Sequence, residues 1–100
     1  MQTIKVTFLS HLAKFIGTRV TSVNLEEPPT VAKLLAALQA EFGSKFTDHF
    51  MKDGEIAQEF VVLLINGLNL KQCAMDGQDP LDVRLKESDD VTFIVQFGGG

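Results

Sequence analysis

Val91-Thr92-Phe93-Ile94-Val95-Gln96-Phe97-Gly98-Gly99-Gly100 is the stretch whose reading decides the fold. Residues 91–96 are β-branched and aromatic enough to read as a strand. Its alternation sends Val91, Phe93 and Val95 to one face and Ile94 to the other. The three glycines that follow have no side chains to bury and lose the most conformational freedom on ordering. Residues 98–100 are therefore expected to form a flexible tail on a folded domain spanning 1–97. The only reactive group of that tail is the α-carboxylate of Gly100, about 10 Å beyond Phe97 when extended. Lacking Cβ atoms, the glycines fit a passage too narrow for other residues. This suits a chain terminus that is itself the substrate of another enzyme; the plainer reading is a linker remnant or a frayed end.

Working outward, 100 residues with 45% hydrophobic content fit one domain with one core. A net charge of −4 argues against binding a nucleic-acid backbone. The single cysteine, Cys73, allows no internal disulfide and no cysteine cage for a metal. The start, Met1-Gln2-Thr3-Ile4-Lys5-Val6, lacks the basic and apolar regions of a secretory signal, and no run reaches membrane-spanning length. The expected setting is a reducing, cytoplasmic one, with no membrane partner.

Upstream, Thr3–Leu9 alternates as a strand with Ile4, Val6 and Phe8 on one side. Ser10–Gly17 reads as a short helical turn, with Ser10 as candidate N-cap and Gly17 as its stop. Arg19–Leu25 reads as a second strand, antiparallel to the first because the link is short. Glu26-Glu27-Pro28-Pro29 breaks the pattern, and Thr30 is positioned to cap a helix. Val31, Leu34, Leu35, Leu38 and Phe42 then fall on one helical face, with Gly43 just beyond it. Residues 44–59 suggest a short helix and a loop around Asp53-Gly54. Phe60–Ile65 is a continuous apolar run of the kind buried on both faces. Asn66-Gly67 marks a turn, and Leu68-Asn69-Leu70 returns from it. Lys71–Pro80 reads as loop, and Leu81, Val83 and Leu85 lead to the acidic turn Glu87–Asp90. This order predicts an α+β domain in which one main helix covers one face of a mixed sheet.

If Ile4, Val6, Phe8, Val61, Leu63, Ile65, Val91, Phe93 and Val95 face that helix, then Leu9, Val62, Leu64 and Ile94 emerge on the other face. There they would form an apolar patch of the sort that marks an interaction site. The alternative is that 44–59 or 71–84 folds over it.

Other candidates carry less. His11 and His49 have no cysteine or paired carboxylate at ligand spacing, so surface histidines are expected and no metal site. Nothing near Cys73 in sequence activates its thiol. Phosphate-binding glycine loops, nucleophile elbows and zinc-protease motifs are absent from the sequence.

Taken together, Ile4-Lys5-Val6, the Gly17 turn, Thr30-Val31 ahead of Leu34-Leu35-Leu38, Ile65-Asn66-Gly67, Leu85 before Asp89-Asp90-Val91, and Gly99-Gly100 resemble the ubiquitin-like sulfur carriers. The likeness covers almost the whole chain and is nearest to the small subunit of molybdopterin synthase, with the thiamin sulfur carrier second. It implies a β-grasp fold with the first and last strands parallel at the sheet centre. It also implies that a ubiquitin-activating-type enzyme uses ATP to adenylate Gly100, that sulfur replaces AMP to give a thiocarboxylate, and that Gly99 enters the active-site channel. The thiocarboxylate would then deliver sulfur within a second partner, such as the large subunit of molybdopterin synthase. On this reading Phe97, Gly98, Leu9, Val62, Leu64 and Ile94 are partner-binding. The body would hold no active site and no bound cofactor. Two departures bear on the pathway: Val95–Gly98 replaces the prolines usual before the terminal glycines, and Lys71–Arg84 is longer than in the family. A ubiquitin-like protein modifier joined to lysines, and a plain β-grasp binding module, are the alternatives.

Overall fold

β-Branched and aromatic residues at alternate positions build a strand pair from the first third of the chain. In the computed structural model, which describes residues 1–9, 11–52, 55–56 and 61–95, β1 (Gln2–Phe8) pairs antiparallel with β2 (Val20–Leu25). Ile4, Val6 and Phe8 are fully buried, as their spacing requires. The connection contains α1 (Leu12–Ile16), ended by Gly17 at φ 93°, where a Cβ would be strained. The expected cap differs: His11 occupies that position without a side-chain bond, and Ser10 lies outside the described residues.

The principal helix α2 (Val31–Phe42) starts where the Thr30 hydroxyl accepts the Lys33 amide at 3.3 Å. Its face Val31, Leu34, Leu35 and Leu38 is buried. Gly43 closes it at φ 59° and opens α3 (Ser44–Phe50). A two-residue hairpin, β3 (Met51–Lys52) with β4 (Glu55–Ile56), follows where the sequence suggested loop; Asp53 and Gly54 lie outside the described residues.

The apolar run becomes β5 (Val61–Ile65), with Phe60 outside the described residues. The expectation of burial on both faces fails here. Val61, Leu63 and Ile65 are buried, while Val62 and Leu64 are half-buried. Among the described residues the sheet receives its buried helix faces on one side, so alternation prevails over composition. Asn66 (φ 54°) and Gly67 (φ 82°) turn the chain into β6 (Leu68–Asn69). The segment expected to be loop is partly structured. Asn69 forms a capping box with α4 (Leu70–Cys73), Pro80–Asp82 makes a 3-10 turn, and Arg84 bridges to Thr30. The last strand is β7 (Asp90–Val95).

Strand order is β2-β1-β7-β5-β6, with β7 parallel to β1 and antiparallel to β5. This mixed sheet under α2 is a β-grasp. Phenylalanines replace other aromatics at its centre: eight occur in a chain with no Trp or Tyr. Phe8 stacks on Phe93 at 5.6 Å, and Phe46 and Phe50 meet Phe93 edge-on at 6.0 and 5.3 Å. Rings need no hydrogen-bond partner when they lack a polar tip, so this cluster is buried at no polar cost.

Candidate functional site

The root of the tail is the end of β7, and the description stops at Val95. Gln96, Phe97, Gly98, Gly99 and Gly100 all lie outside the described residues. What the fold fixes is where the tail begins. Val95 is paired with Val61 across one side of β7. On the other side, the Leu9 amide donates to the Phe93 carbonyl at 3.0 Å. The tail therefore leaves from the interior of the sheet, between β1 and β5, at the end where β1 also finishes.

Sheet register then brings the four body residues together. Val62 lies directly opposite Ile94, and the parallel match of Phe8 with Phe93 sets Leu9 beside Ile94. Leu9, Ile94 and Val62 thus form a row across three strands on the face away from α2. The next row is Val20, Thr7, Thr92 and Leu64, since Thr7 is paired with Val20 and Thr92, and Thr92 with Leu64. Leu9 and Val20 are 41% and 43% exposed; Val62, Leu64 and Ile94 are half-buried by their neighbours. Further from the tail the same face turns polar: Lys5 pairs with Ser22 and Asp90, and the Thr3 hydroxyl donates to Asn24 Oδ1 at 2.7 Å. The apolar end of the outer face is the end from which the tail departs.

The described parts of 44–59 and 71–84 pack mainly into the core, although Ile56, Lys71 and Pro80 line a cavity together with Val62. Phe46 and Phe50 of α3 pack on Phe8 and Phe93, and Leu70, Val83 and Leu85 join the same core beneath α2. Sequence reasoning missed Val20 as part of the surface. Its signal was present: it sits on the opposite parity from Val23 and Leu25, which are buried.

A cavity of about 200 Å³ lies beside the β5–β6 hairpin; among its described lining residues Lys71 alone is ionisable. Among the described residues no group of three or more His, Cys, Asp or Glu is placed to hold a metal ion. The Cys73 thiol is half-buried, 4.0 Å from the Leu68 carbonyl. His11 is exposed, and the side chain of His49 is not among those described. Among the described residues no helix is long and apolar enough to cross a membrane.

No protein-family model and no curated protein matches the chain. Solved structures do. Small archaeal modifier protein 1 from Haloferax volcanii superposes with a TM-score of 0.74 at 22% identity, covering 98% of this chain and 99% of that one. The fold is that of the ubiquitin-like carriers and modifiers. Small archaeal modifier protein 1 from Methanosarcina acetivorans is 26% identical with a TM-score of 0.71, over 100% of this chain and 98% of its own. A protein from Pyrococcus furiosus assigned as molybdopterin converting factor subunit 1 has a TM-score of 0.71 at 19% identity, over 95% and 98% of the two chains. These neighbours match along nearly their whole length, so the segment from Lys71 to Arg84 is accommodated without a change of architecture.

Proposed function

We propose that this ubiquitin-like chain is a sulfur carrier whose working group is the Gly100 carboxylate. In this reading Gly100 is the functional terminus. A ubiquitin-activating-type enzyme transfers AMP from ATP to the carboxylate, releasing pyrophosphate. A sulfur nucleophile then displaces AMP, and the resulting thiocarboxylate donates its sulfur in cofactor synthesis, in the manner of the small subunit of molybdopterin synthase. The logic is that of leaving groups: a carboxylate is a poor acyl electrophile, whereas an acyl-adenylate expels a weakly basic phosphate. The carrier contributes no base or oxyanion donor. It contributes reach and docking. The five residues after Val95 span at most about 17 Å when extended. The partner's reacting groups would lie within that distance of the row formed by Leu9, Ile94 and Val62, with Phe97 and Gly98 at the channel mouth and Gly99 inside it.

The observation that carries this reading is the coincidence of a β-grasp body, an apolar outer face that is richest at the end of the last strand, and the three glycines that follow it in the sequence. The test is incubation with the host's activating enzyme, ATP and a sulfur donor, followed by intact mass and fragmentation of the C-terminal peptide. One sulfur-for-oxygen exchange at Gly100 is expected, and a variant lacking Gly99 and Gly100 should stay folded and unmodified. An unchanged mass, with an enzyme shown to activate another carrier, would refute the proposal. The likeness to small archaeal modifier protein 1 favours a second reading, in which the same activated carboxylate is joined to lysines of other proteins. High-mass conjugates in host extract, absent for the truncated variant, would support it.

A further inference from the structure

The two edges of the sheet are treated very differently. At one, β6 is only two residues long and is followed at once by α4. Val61 and Leu63, beyond its reach, are 1% and 3% exposed. That edge offers a partner only the two residues of β6 before the chain turns into α4. The other edge is β2, and it is open.

Hydrogen-bond parity shows what β2 offers. The Phe8 amide donates to the Arg19 carbonyl at 2.8 Å, which marks Phe8 and Arg19 as a bonded pair. By alternation, Thr21, Val23 and Leu25 turn their backbone groups toward β1, and Val20, Ser22 and Asn24 turn theirs outward. Those three residues are exposed, and among the described residues no strand lies beyond them. The Thr18 hydroxyl donates to the Val20 carbonyl at 3.0 Å; the other outward groups of these three residues have no backbone partner in the described structure. Edge strands are normally blunted by Lys, Pro, a bulge or brevity. Val20–Leu25 has six residues, no charge, no proline and an unbroken register with β1.

We infer that this edge pairs with the same edge of a second copy, antiparallel about a two-fold axis at Ser22. Only outward-facing residues can be bonded partners, so Ser22 faces its own copy and Val20 faces Asn24, giving six backbone hydrogen bonds from three bonded pairs. The charges at the strand ends select the second copy and the antiparallel direction. Arg19 precedes the strand and Glu26-Glu27 follows it. Antiparallel self-pairing sets each Arg19 opposite the other copy's Leu25, at the strand end that runs on into that copy's Glu26-Glu27, whereas parallel in-register pairing would set Arg19 beside Arg19 and Glu26 beside Glu26. The axis stands perpendicular to the sheet, so both outer faces point the same way. One strand, β1, separates β2 from β7, so the pairing edge is not the strand that leads into the tail. The contact is small and adds no core, which makes it a weak, concentration-dependent association. It does not depend on the function proposed above.

Sedimentation equilibrium between about 10 μM and 1 mM, with amide hydrogen exchange on the same samples, tests this. The weight-average mass should climb from 11.0 kDa toward twice that value. Exchange at Val20, Ser22 and Asn24 should slow with concentration while Thr21, Val23 and Leu25 keep their rates. Ser22→Pro removes only an outward amide, and Ser22→Lys with Asn24→Lys restores edge charges; both should remain folded and monomeric. A monomeric mass throughout the range, or a dimer that both variants preserve, would overturn the inference. So would protection of these amides that develops only on adding the activating enzyme, because the occupant would then be that enzyme's strand.

Discussion

Replacing Asn66 tests how the start of the last strand is anchored. Asn66 occupies left-handed space at φ 54°, ahead of Gly67 at φ 82°. Its side chain works in both directions: Nδ2 donates to Asp89 Oδ1, and Oδ1 accepts the Asp90 amide, each at 2.9 Å. Its own amide donates to the Asp90 carbonyl at 2.8 Å. Asp89 is held in turn by the Lys86 amide at 2.8 Å. One asparagine thus joins the β5–β6 turn to the residue that opens β7. Asn66→Ala would lose two exposed hydrogen bonds, about 0.5–1 kcal/mol each. It would also place a Cβ residue without local compensation in left-handed space, costing about 1 kcal/mol more. The expected total is about 2–3 kcal/mol. Asn66→Gly loses the same bonds but relieves the backbone, so it should fall about 0.5–1 kcal/mol short of the alanine variant. Urea unfolding provides the assay. With a slope near 1.5 kcal/mol/M for a chain of this size, the alanine midpoint should drop by about 1–2 M. A cycle with Asp89→Ala should show coupling of about 0.5–1 kcal/mol. Equal midpoints for Ala and Gly would remove the conformational part of this account. An additive cycle would remove the hydrogen-bond part.

Thr30→Ala should cost about 1 kcal/mol by thermal unfolding, because the Lys33 amide loses its cap; restoration by Ser would tie the loss to the hydroxyl. Phe93→Ala should cost about 3–5 kcal/mol in urea, since the ring is fully buried among Phe8, Phe46 and Phe50; a loss below 1 kcal/mol would mean that the aromatic cluster closes over the hole. Ile94→Asp and Leu64→Asp change half-buried outer-face positions and should shift stability by no more than about 1 kcal/mol. Titration calorimetry should show both binding the activating enzyme at least about tenfold more weakly. Unchanged affinity would move docking to another surface.

Much of the body was legible because single periodicities dominate it. Ile4, Val6 and Phe8 alternate without interruption, and Val31, Leu34, Leu35 and Leu38 keep one helical stripe between Thr30 and Gly43. Burial follows both patterns residue by residue. The candidate surface was legible for the same reason, since Val62, Leu64 and Ile94 are defined by parity with buried neighbours. Where local signals competed, the reading was poorer. Lys71–Arg84 mixes glycine, proline and polar residues, and the capping box at Asn69 and the Thr30–Arg84 bridge depend on groups distant in sequence.

The amino-acid sequence by itself determined which residues alternate, where the helix begins and stops, and that three glycines follow the last strand, because each depends on local stereochemistry. Tertiary structure decided the rest. Phe60–Ile65 reads as a strand buried on both sides, yet among the described residues only one face of the sheet receives helices, and Val62 and Leu64 are left on the other. Leu9, Val62 and Ile94 are more than eighty positions apart at the extremes and become one row only through the parallel pairing of β1 with β7 and the antiparallel pairing of β7 with β5. The open edge at β2 is likewise a property of strand order. Adjacency across a sheet is set by register between distant segments, and no local signal encodes it.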